Sequence, residues 1–297
     1  VAFVLFKKSN SDFLILETGL GGRLDATNII PKKLCSIITP ISYDHEEFLG
    51  NTIKKITKEK LGIVKKSEFV IVAKQKLEVE KLIRKSLLKT KNVYFYGKSY
   101  VIKNITHNKF EFEYNRKKLT VESPKLNGFH QIENASVSLM FSEIMNKNKF
   151  KLSFKKINNA IKETSWPGRL EILKYYNKKI ILDGSHNVDG ANKLKQFLIS
   201  KKLKPIVIFG MINNKKINIF LLKIRTQIKK LIAIKIPDEE NSFETDEIAK
   251  NCEKLFIDYI KLKNLNEVLK HIKNSNEKVF LITGSLYLIG KIRKRFL

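Results

Sequence analysis

Hydrophobic and polar positions along the first part of the chain predict short strands that alternate with helices. Three short apolar runs predict buried strands at Phe13–Leu16, Ile37–Ile41 and Phe69–Ala73. Apolar positions at helical spacing predict helices over Thr52–Lys65, Leu77–Leu88 and His130–Met145, and a further helix that begins at Ser153. Between Val93 and Ser123 the pattern changes to short alternating runs separated by turn residues, which predicts a small antiparallel sheet.

The chain beyond Trp166-Pro167-Gly168 has a more regular rhythm. Strands are predicted near Lys179–Leu182, Pro205–Phe209, Leu231–Ile236 and Lys278–Ile282, with a weaker one near Phe256–Tyr259. Helical segments lie between them, so we expect an α/β domain with a parallel, doubly wound sheet. We place a domain boundary at the Trp-Pro-Gly break, which divides the chain into residues 1–165 and 166–297.

Composition narrows the class of protein. The formal net charge is +29, but lysine is scattered along all 297 residues instead of forming one basic stripe, so we expect no nucleic-acid partner. Two cysteines are too few for a disulfide framework or a metal cluster, which favours a reducing, cytoplasmic setting. The apolar stretch Val279–Ile289 is too short for a membrane span, and we expect no membrane partner.

The segment Glu17–Asn28 (ETGLGGRLDATN) is the most informative piece of the sequence. Glu17 is predicted to follow a strand and to precede a glycine-rich turn, where a carboxylate could hold Mg²⁺ on a nucleotide. The alternative is a plain strand-to-loop turn in which the glycines supply unusual backbone angles. A dinucleotide fingerprint is excluded because its third glycine position is occupied by Leu24.

Gly97-Lys98-Ser99 imitates the end of a phosphate-binding P-loop. The glycine that the P-loop motif requires five residues earlier is replaced by Asn92, and the intervening residues are typical of a strand. We therefore interpret Gly97-Lys98-Ser99 as a turn. The sequence contains no G-x-x-x-x-G-K-[ST] motif.

Two further residues before the boundary carry candidate chemistry. His45 follows the second predicted strand, and together with Glu17 it could form an oxygen-plus-nitrogen metal pair, although a lone histidine is more often structural. Lys60 falls on the apolar face of its predicted helix. A buried lysine needs a partner or a modification that removes its charge, unless the side chain reaches back to solvent.

Past the boundary, two segments gather polar side chains at the carboxyl ends of predicted strands, where ligands bind to such sheets. Arg169 lies in Pro167–Glu171, and Asp183 and His186 lie in Leu182–Asn187. An arginine fork suits phosphate oxygens, and Asp183 could accept ribose hydroxyls or pair with that arginine. Each residue alone could be a surface group, but together they indicate a site.

These segments resemble the successive signatures of the folylpolyglutamate synthase and dihydrofolate synthase family. The matching stretches occur in the family's order from residue 17 to residue 290: ETGLGGRLDATN, SYDHEEFLGNTIKKITKEKLGIVK, LNGFHQIENA, WPGRLE, LDGSHNVDGA, FGM and ITGSLYLIG. The resemblance implies a Mur-ligase-like α/β fold, with part of a central ATPase domain over residues 1–165 and a Rossmann-like, glutamate-ligase domain over residues 166–297.

The resemblance also implies an activity. A ligase of this family uses ATP and Mg²⁺ to phosphorylate a carboxylate of dihydropteroate or a folate, and the amino group of L-glutamate then attacks the acyl phosphate. Carried over residue by residue, the implied roles are magnesium ligation for Glu17 and His45, a carbamylated, catalytic lysine at Lys60, ATP contacts for Asn134, Arg169 and Asp183, and contacts with the incoming glutamate for His186, also catalytic, and Ser285. Relatives of this kind are commonly monomeric.

In the family a P-loop lies upstream of the ETGLGG segment, and the 297 residues contain none. We therefore expect an N-terminally truncated member that does not turn over ATP by itself, with an inactive, decayed homologue as the alternative. A cell-wall Mur ligase is the nearest rival enzyme, because it shares the architecture. A basic nucleic-acid-binding protein is the rival from another class. The sequence does not separate dihydrofolate synthase from folylpolyglutamate synthase activity.

Overall fold

The computed structural model describes residues 2–148 and 150–297. The chain divides into two compact units, Val1–Ser99 and Tyr100–Leu297. The predicted boundary between residues 165 and 166 is a different division, and it stays a prediction.

The first unit has a three-stranded parallel sheet with the strand order β1-β2-β3. Its strands are β1 (Lys33–Ile38), β2 (Ser67–Val72) and β3 (Val93–Phe95). Its α-helices are α1 (Ala2–Lys8), α2 (Glu46–Leu49), α3 (Ile53–Leu61) and α4 (Leu77–Ser86), and short 3₁₀ turns cover Ala26–Ile29 and Gly62–Val64. The predicted helices over 52–65 and 77–88 are confirmed, since their apolar positions fill the core beside the sheet.

The first predicted strand is wrong. Phe13–Leu16 has no regular secondary structure, and the side chain of Ile15 is 92% exposed. A strand requires a neighbour for its backbone groups, and no described strand pairs with this run. Glu17 therefore lies in a loop instead of at a strand end. The second predicted strand, Ile37–Ile41, is shifted towards the amino end, because β1 covers Lys33–Ile38.

The second unit opens with an antiparallel sheet and two helices. The sheet comprises β4 (Tyr100–Lys103), β5 (Lys109–Tyr114) and β6 (Lys117–Glu122), and the helices are α5 (Phe129–Lys147) and α6 (Phe154–Glu163). The predicted antiparallel patch and both helices are confirmed. Val93–Phe95 is the exception, because β3 pairs in parallel with β2 in the first unit.

The rest of the second unit is a six-stranded sheet with the order β11-β10-β9-β12-β8-β7. Its strands are β7 (Glu171–Tyr175), β8 (Lys178–Asp183), β9 (Ile206–Phe209), β10 (Lys230–Ala233), β11 (Tyr259–Lys261) and β12 (Val279–Thr283). Its helices are α7 (Val188–Ser200), α8 (Ile217–Ile224), α9 (Thr245–Lys254), α10 (Leu265–Asn274) and α11 (Leu286–Arg293). All neighbouring strands run parallel except β7, which is antiparallel to β8.

The doubly wound arrangement is confirmed by the two faces of this sheet. Helices α7, α8 and α9 pack on one face, and α10 and α11 pack on the other. Strand β7 was missed because its alternating burial is weak and it forms a sheet edge. Within the described residues, no helix is both long and apolar enough to cross a membrane.

The carboxyl ends of three strands meet at one edge of this sheet. Thr283 at the end of β12 pairs with Asp183 on one side and with Phe209 on the other. The loops that follow these strands therefore lie side by side, as the sequence predicted for the polar segments.

Candidate functional site

The loop 17–28 is fastened to the carboxyl end of α3. The backbone N–H of Arg23 donates to the carbonyl of Glu59 at 2.9 Å, and the Arg23 side chain forms an ion pair with the Glu59 carboxylate at 3.0 Å. The Asn28 amide donates to the carbonyls of Arg23 and Gly62 at 3.1 and 3.2 Å. The glycine-rich loop and the helix that carries Lys60 thus form one packed structure.

Asp25 organises the interior of this loop. One carboxylate oxygen accepts the N–H of Leu20 at 2.8 Å, and the other accepts the N–H and the hydroxyl of Thr27 at 2.9 and 2.6 Å. Partial burial of the Asp25 carboxyl opposes ionisation, but these hydrogen bonds outweigh it and lower its pKa. The Asp25 side chain is therefore an internal brace of the ETGLGGRLDATN segment.

The two predicted magnesium ligands both lie in the first unit. Glu17 is exposed in the loop, and His45 is the residue before α2, with a left-handed backbone conformation at φ 51°. Carboxylate oxygens suit Mg²⁺, whereas imidazole is the commoner ligand of zinc and other transition metals, so the fit of His45 depends on the family resemblance. No group of three or more His, Cys, Asp or Glu side chains suited to a metal occurs in the part of the chain that the structure describes. The ligand pair stays a prediction.

Lys60 lies near the end of α3 and is half-buried. Burial lowers the pKa of its amino group, while the negative charge of Asp44 acts in the opposite direction. Asp44 also accepts the N–H of His45 at 3.0 Å. The structure therefore brings Lys60 into the neighbourhood of the Asp44-His45 segment, which the sequence alone could not establish.

In the second unit, Asp183 is buried at the end of β8 with 5% exposure. Its two carboxylate oxygens accept the N–H groups of Leu170 and Ser185, both at 3.1 Å. Burial raises the pKa of the Asp183 carboxyl, although the hydrogen bonds from Ser185 and Leu170 and the charge of Arg169 act against it. Asp183 thus holds the turn that carries Arg169 against the strand end, a role that the sequence did not reveal.

His186 and Ser285 lie on adjacent loops. The carbonyl of Ser185 accepts the N–H of Gly284 at 3.1 Å, which joins the loop after β8 to the loop after β12. The His186 Nδ1 contacts the Gly184 carbonyl at 2.9 Å. A carbonyl oxygen only accepts, so Nδ1 carries the hydrogen and the ring orientation is fixed.

Ser285 caps the amino end of α11, and its buried hydroxyl accepts the N–H of Tyr287 at 3.1 Å. Gly284 is required beside it, because a Cβ atom there would lie 2.5 Å from the Gly210 carbonyl. Both predicted glutamate-contacting residues thus sit at the sheet edge where the loops meet.

The start of α5 belongs to the same unit as this edge. The Asn127 amide donates to the carbonyl of Leu170 at 3.0 Å, which ties the segment before α5 to the Arg169 turn. Asn134 is exposed on the following helix, and its amide donates to the side chain of Gln131 at 3.0 Å. Arg169, Asn134 and Asp183 therefore lie in one compact unit.

Sequence reasoning missed His130 in this region. Burial lowers the pKa of the His130 imidazole to about 4, and the charges of Lys193 and Arg169 add to this effect while Asp189 opposes it. The signal was present, because His130 stands in the same LNGFHQIENA segment as Asn134. Nothing in the sequence indicated that charged residues of α7 and of the Arg169 turn would face it.

Comparison with known protein families and structures agrees with this arrangement. The family model "Mur ligase middle domain" matches residues 2–142, and "Dihydrofolate synthetase, C-terminal domain" matches residues 169–295. The dihydrofolate synthase/folylpolyglutamate synthase of Bacillus subtilis is 32% identical over 99% of this chain and 70% of its own length.

Solved structures give the same result. The crystal structure of folylpolyglutamate synthase from Thermotoga maritima has a TM-score of 0.80 and 29% identity, and covers 99% of this chain and 68% of that one. E. coli FolC in complex with ADP has a TM-score of 0.85 and covers 99% of this chain and 69% of that one. At 22% identity the E. coli structure shows only the shared fold. The expected Mur-ligase-like fold is confirmed.

Proposed function

Because the chain belongs to the dihydrofolate synthase and folylpolyglutamate synthase family, we propose that it catalyses the ATP-dependent addition of L-glutamate to dihydropteroate, to (tetrahydro)folate, or to both. The observation that carries the proposal is the edge of the six-stranded sheet, where the loops after β8 and β12 are joined and bear His186 and Ser285. The turn with Arg169 is fixed to the same edge by Asp183.

The proposed reaction proceeds in two steps. A carboxylate oxygen of the pteroate or folate attacks the γ-phosphorus of ATP, the bond from that phosphorus to the β,γ-bridging oxygen breaks, and ADP leaves. The amino group of glutamate then attacks the acyl carbon, a proton is lost, and phosphate leaves as the amide forms. Phosphorylation is needed because a carboxylate oxygen is a poor leaving group. Mg²⁺ would neutralise charge that develops on the transferred phosphoryl group.

For the nucleotide we propose contacts from Asn134, Arg169 and Asp183. The exposed guanidinium of Arg169 offers several N–H donors to phosphate oxygens, and the exposed amide of Asn134 offers both a donor and an acceptor. Asp183 serves this site mainly by holding the Arg169 turn. E. coli FolC has been solved with ADP, which supports a nucleotide as the ligand.

For the incoming glutamate we propose contacts from His186 and Ser285. The orientation of the His186 ring is set by its hydrogen bond to Gly184, and Ser285 stands at the amino end of α11, where a helix favours negative charge. A carboxylate of glutamate suits this position. His186 is the residue we propose to act directly on the glutamate during catalysis.

In the first unit we propose that Glu17 and His45 hold Mg²⁺ and that Lys60 is carbamylated. A carbamate forms when the neutral amine attacks CO₂ and loses a proton, so the lysine changes from a cation to an anion. The half-buried position of Lys60 supports this modification, since burial disfavours the ammonium ion. We further propose that the protein works as a monomer in the cytoplasm, without a nucleic-acid or membrane partner.

An isotope experiment tests the proposed chemistry. Because we expect no ATP turnover from the 297 residues alone, this and all later kinetic experiments use the full-length protein. Dihydropteroate labelled with ¹⁸O in its carboxylate is incubated with that protein, ATP, Mg²⁺ and glutamate, and the products are analysed by mass spectrometry. We expect glutamylated product, ADP, and one ¹⁸O atom transferred to each phosphate released. Tetrahydrofolate in place of dihydropteroate determines which of the two acceptors is used.

Three outcomes contradict the proposal. Product without ¹⁸O in phosphate excludes the acyl phosphate. Turnover of UDP-linked muramyl substrates, with none of the folates, identifies a cell-wall ligase. No ADP formation, together with salt-dependent binding to DNA or RNA, supports the nucleic-acid-binding alternative.

A further inference from the structure

Three side chains at the start of α5 form a hydrogen-bonded chain. Asn134 Nδ2 donates to Gln131 Oε1 at 3.0 Å, and Gln131 Nε2 contacts His130 Nε2 at 3.1 Å. Residues three apart on a helix face each other, which explains the contact between Gln131 and Asn134. Gln131 is buried at 8% exposure, whereas Asn134 is exposed.

The orientation of the Gln131 amide identifies the tautomer of His130. The amide nitrogen of Gln131 only donates, so the Nε2 atom of His130 must accept, and the ring carries its hydrogen on Nδ1. This leaves Gln131 Oε1 to accept from Asn134 Nδ2. The Oδ1 atom of Asn134 is thereby directed away from Gln131, where it can accept a hydrogen bond from a ligand.

A protonated His130 would reverse the donor and acceptor roles in these two hydrogen bonds. Both ring nitrogens of an imidazolium donate, so Gln131 would have to turn its oxygen to the ring and its nitrogen to Asn134. Asn134 would then present a donor to the ligand in place of an acceptor. The neutral His130 tautomer with its hydrogen on Nδ1 is therefore the form that leaves the oxygen of the Asn134 amide facing outward.

The surroundings of His130 maintain the neutral state. Burial is the main cause of the lowered pKa of the His130 imidazole, and the positive charges of Lys193 on α7 and of Arg169 add to it. Asp189, which is ion-paired with Lys193 at 2.9 Å, acts in the opposite direction. Gly128 leaves space for the ring, because a Cβ atom there would lie 2.6 Å from His130 Cε1. The imidazole is thus held in a fitted, partly buried pocket.

We propose that His130 is a positioning residue that acts through Gln131 to make Asn134 a hydrogen-bond acceptor for an N–H or O–H group of the nucleotide. The inference rests on the proposed function, since it takes a nucleotide as the ligand of Asn134. In addition, a histidine that does not touch the ligand decides whether Asn134 accepts or donates the hydrogen bond to it.

Two matched variants separate this role from simple packing. His130→Phe fills the space of the ring but cannot accept a hydrogen bond, so Gln131 and Asn134 lose their fixed orientation. His130→Gln retains an acceptor oxygen. We expect His130→Phe to raise KM for ATP roughly tenfold with kcat unchanged, the effect of one lost ground-state hydrogen bond, and His130→Gln to restore the wild-type KM.

NMR spectroscopy checks the direction of the hydrogen bonds between His130, Gln131 and Asn134 without any ligand. The ¹⁵N spectrum of His130 at pH 7 should show an unprotonated Nε2 and a protonated Nδ1. In ADP titrations the wild-type affinity should fall as the pH approaches about 4, whereas His130→Gln, which retains Asp189, Lys193 and Arg169, should not show that part of the decrease.

The failure of this inference is distinguishable from failure of the proposed function. Absence of ADP binding by the wild-type protein contradicts the nucleotide site itself. Normal ADP binding with equal KM in wild type and His130→Phe overturns the positioning role, and so does a His130 ring protonated at Nε2. A His130→Phe variant that fails to fold leaves the ¹⁵N measurement and His130→Gln as decisive tests.

Discussion

Gly62 and Arg23 lie in such close contact that a Cβ atom on Gly62 would stand 2.4 Å from the Cα atom of Arg23. The hydrogen bond from the Arg23 N–H to Glu59 and those from Asn28 to Arg23 and Gly62 lock the two segments at this distance. Gly62 therefore allows the loop 17–28 to seat against the helix that carries Lys60. The two most distinctive segments of the first unit are one structural feature.

We expect Gly62→Ala to destabilise the first unit by about 3 kcal/mol, because the new methyl group must displace the Arg23 backbone. Urea unfolding followed by circular dichroism measures the effect. Gly290→Ala is the matched control, since nothing lies within 4 Å of its added Cβ and the residue is helical. This control should be neutral or stabilising by up to about 1 kcal/mol. Equal free energies of unfolding for both variants would show that the Arg23 backbone moves away from the added methyl group at little cost.

We expect Asp183→Asn to destabilise the second unit by about 1–3 kcal/mol and to weaken ADP binding. The oxygen of the new amide can accept only one of the two backbone N–H groups, those of Leu170 and Ser185. The other N–H group then faces the amide nitrogen, which is itself a donor, and its hydrogen bond is lost. Thermal unfolding and ADP titration measure the two effects. Asp238→Asn, at a side chain 79% exposed, is the control. If both variants unfold alike, Asp183 does not hold the Arg169 turn.

We expect Lys60→Ala to lower kcat by roughly 10- to 100-fold, the range for loss of a group that supports a metal site. A small carboxylate such as acetate should restore part of the activity by taking the place of the carbamate. Lys58→Ala, on the exposed side of the same helix, should be unchanged. The wild-type protein in ¹³CO₂ should show a carbamate resonance that Lys60→Ala lacks. Absence of that resonance from active protein contradicts the modification.

The Glu171–Arg293 pair makes stability depend on pH. The hydrogen bond from Arg293 lowers the pKa of the Glu171 carboxyl below its usual 4.5, with the N–H of Gly168 adding to it and burial opposing it. The stabilisation is therefore complete above about pH 4.5 and lost as the pH falls through the folded-state pKa.

Glu171→Gln should consequently have a lower free energy of unfolding than the wild type at pH 7, and the difference should shrink as the pH falls below the usual carboxyl pKa of 4.5. Chemical denaturation at a series of pH values measures this trend. Glu277→Gln, whose partner Lys229 is 50% exposed, should show a smaller difference at every pH. If the difference in free energy of unfolding between Glu171→Gln and the wild type stays constant down to pH 3, protonation of Glu171 does not affect the stability that the ion pair provides.

The spacing of apolar residues was enough to predict most of the helices and parallel strands. The helix over 52–65 and the strands β8, β9 and β12 follow from apolar spacing, since burial on one face imposes the period of the element. The same reasoning failed at Phe13–Leu16, where apolar character was present but no described strand pairs with the run. It also missed β7, whose place depends on pairing with β8.

The sequence by itself determined the family, through the ordered segments from ETGLGG to ITGSLYLIG. It placed Lys60, Asn134 and Asp183 on their elements, but it put Glu17 at a strand end where the structure has a loop. Tertiary structure decided which of these residues meet. The seating of Gly62 on Arg23, the bond between the Ser185 and Gly284 loops, and the charges around His130 join residues that are far apart in the chain. Spacing along a chain reports which face of an element is buried, whereas partners and hydrogen-bond direction are set only when the packed elements bring their side chains together.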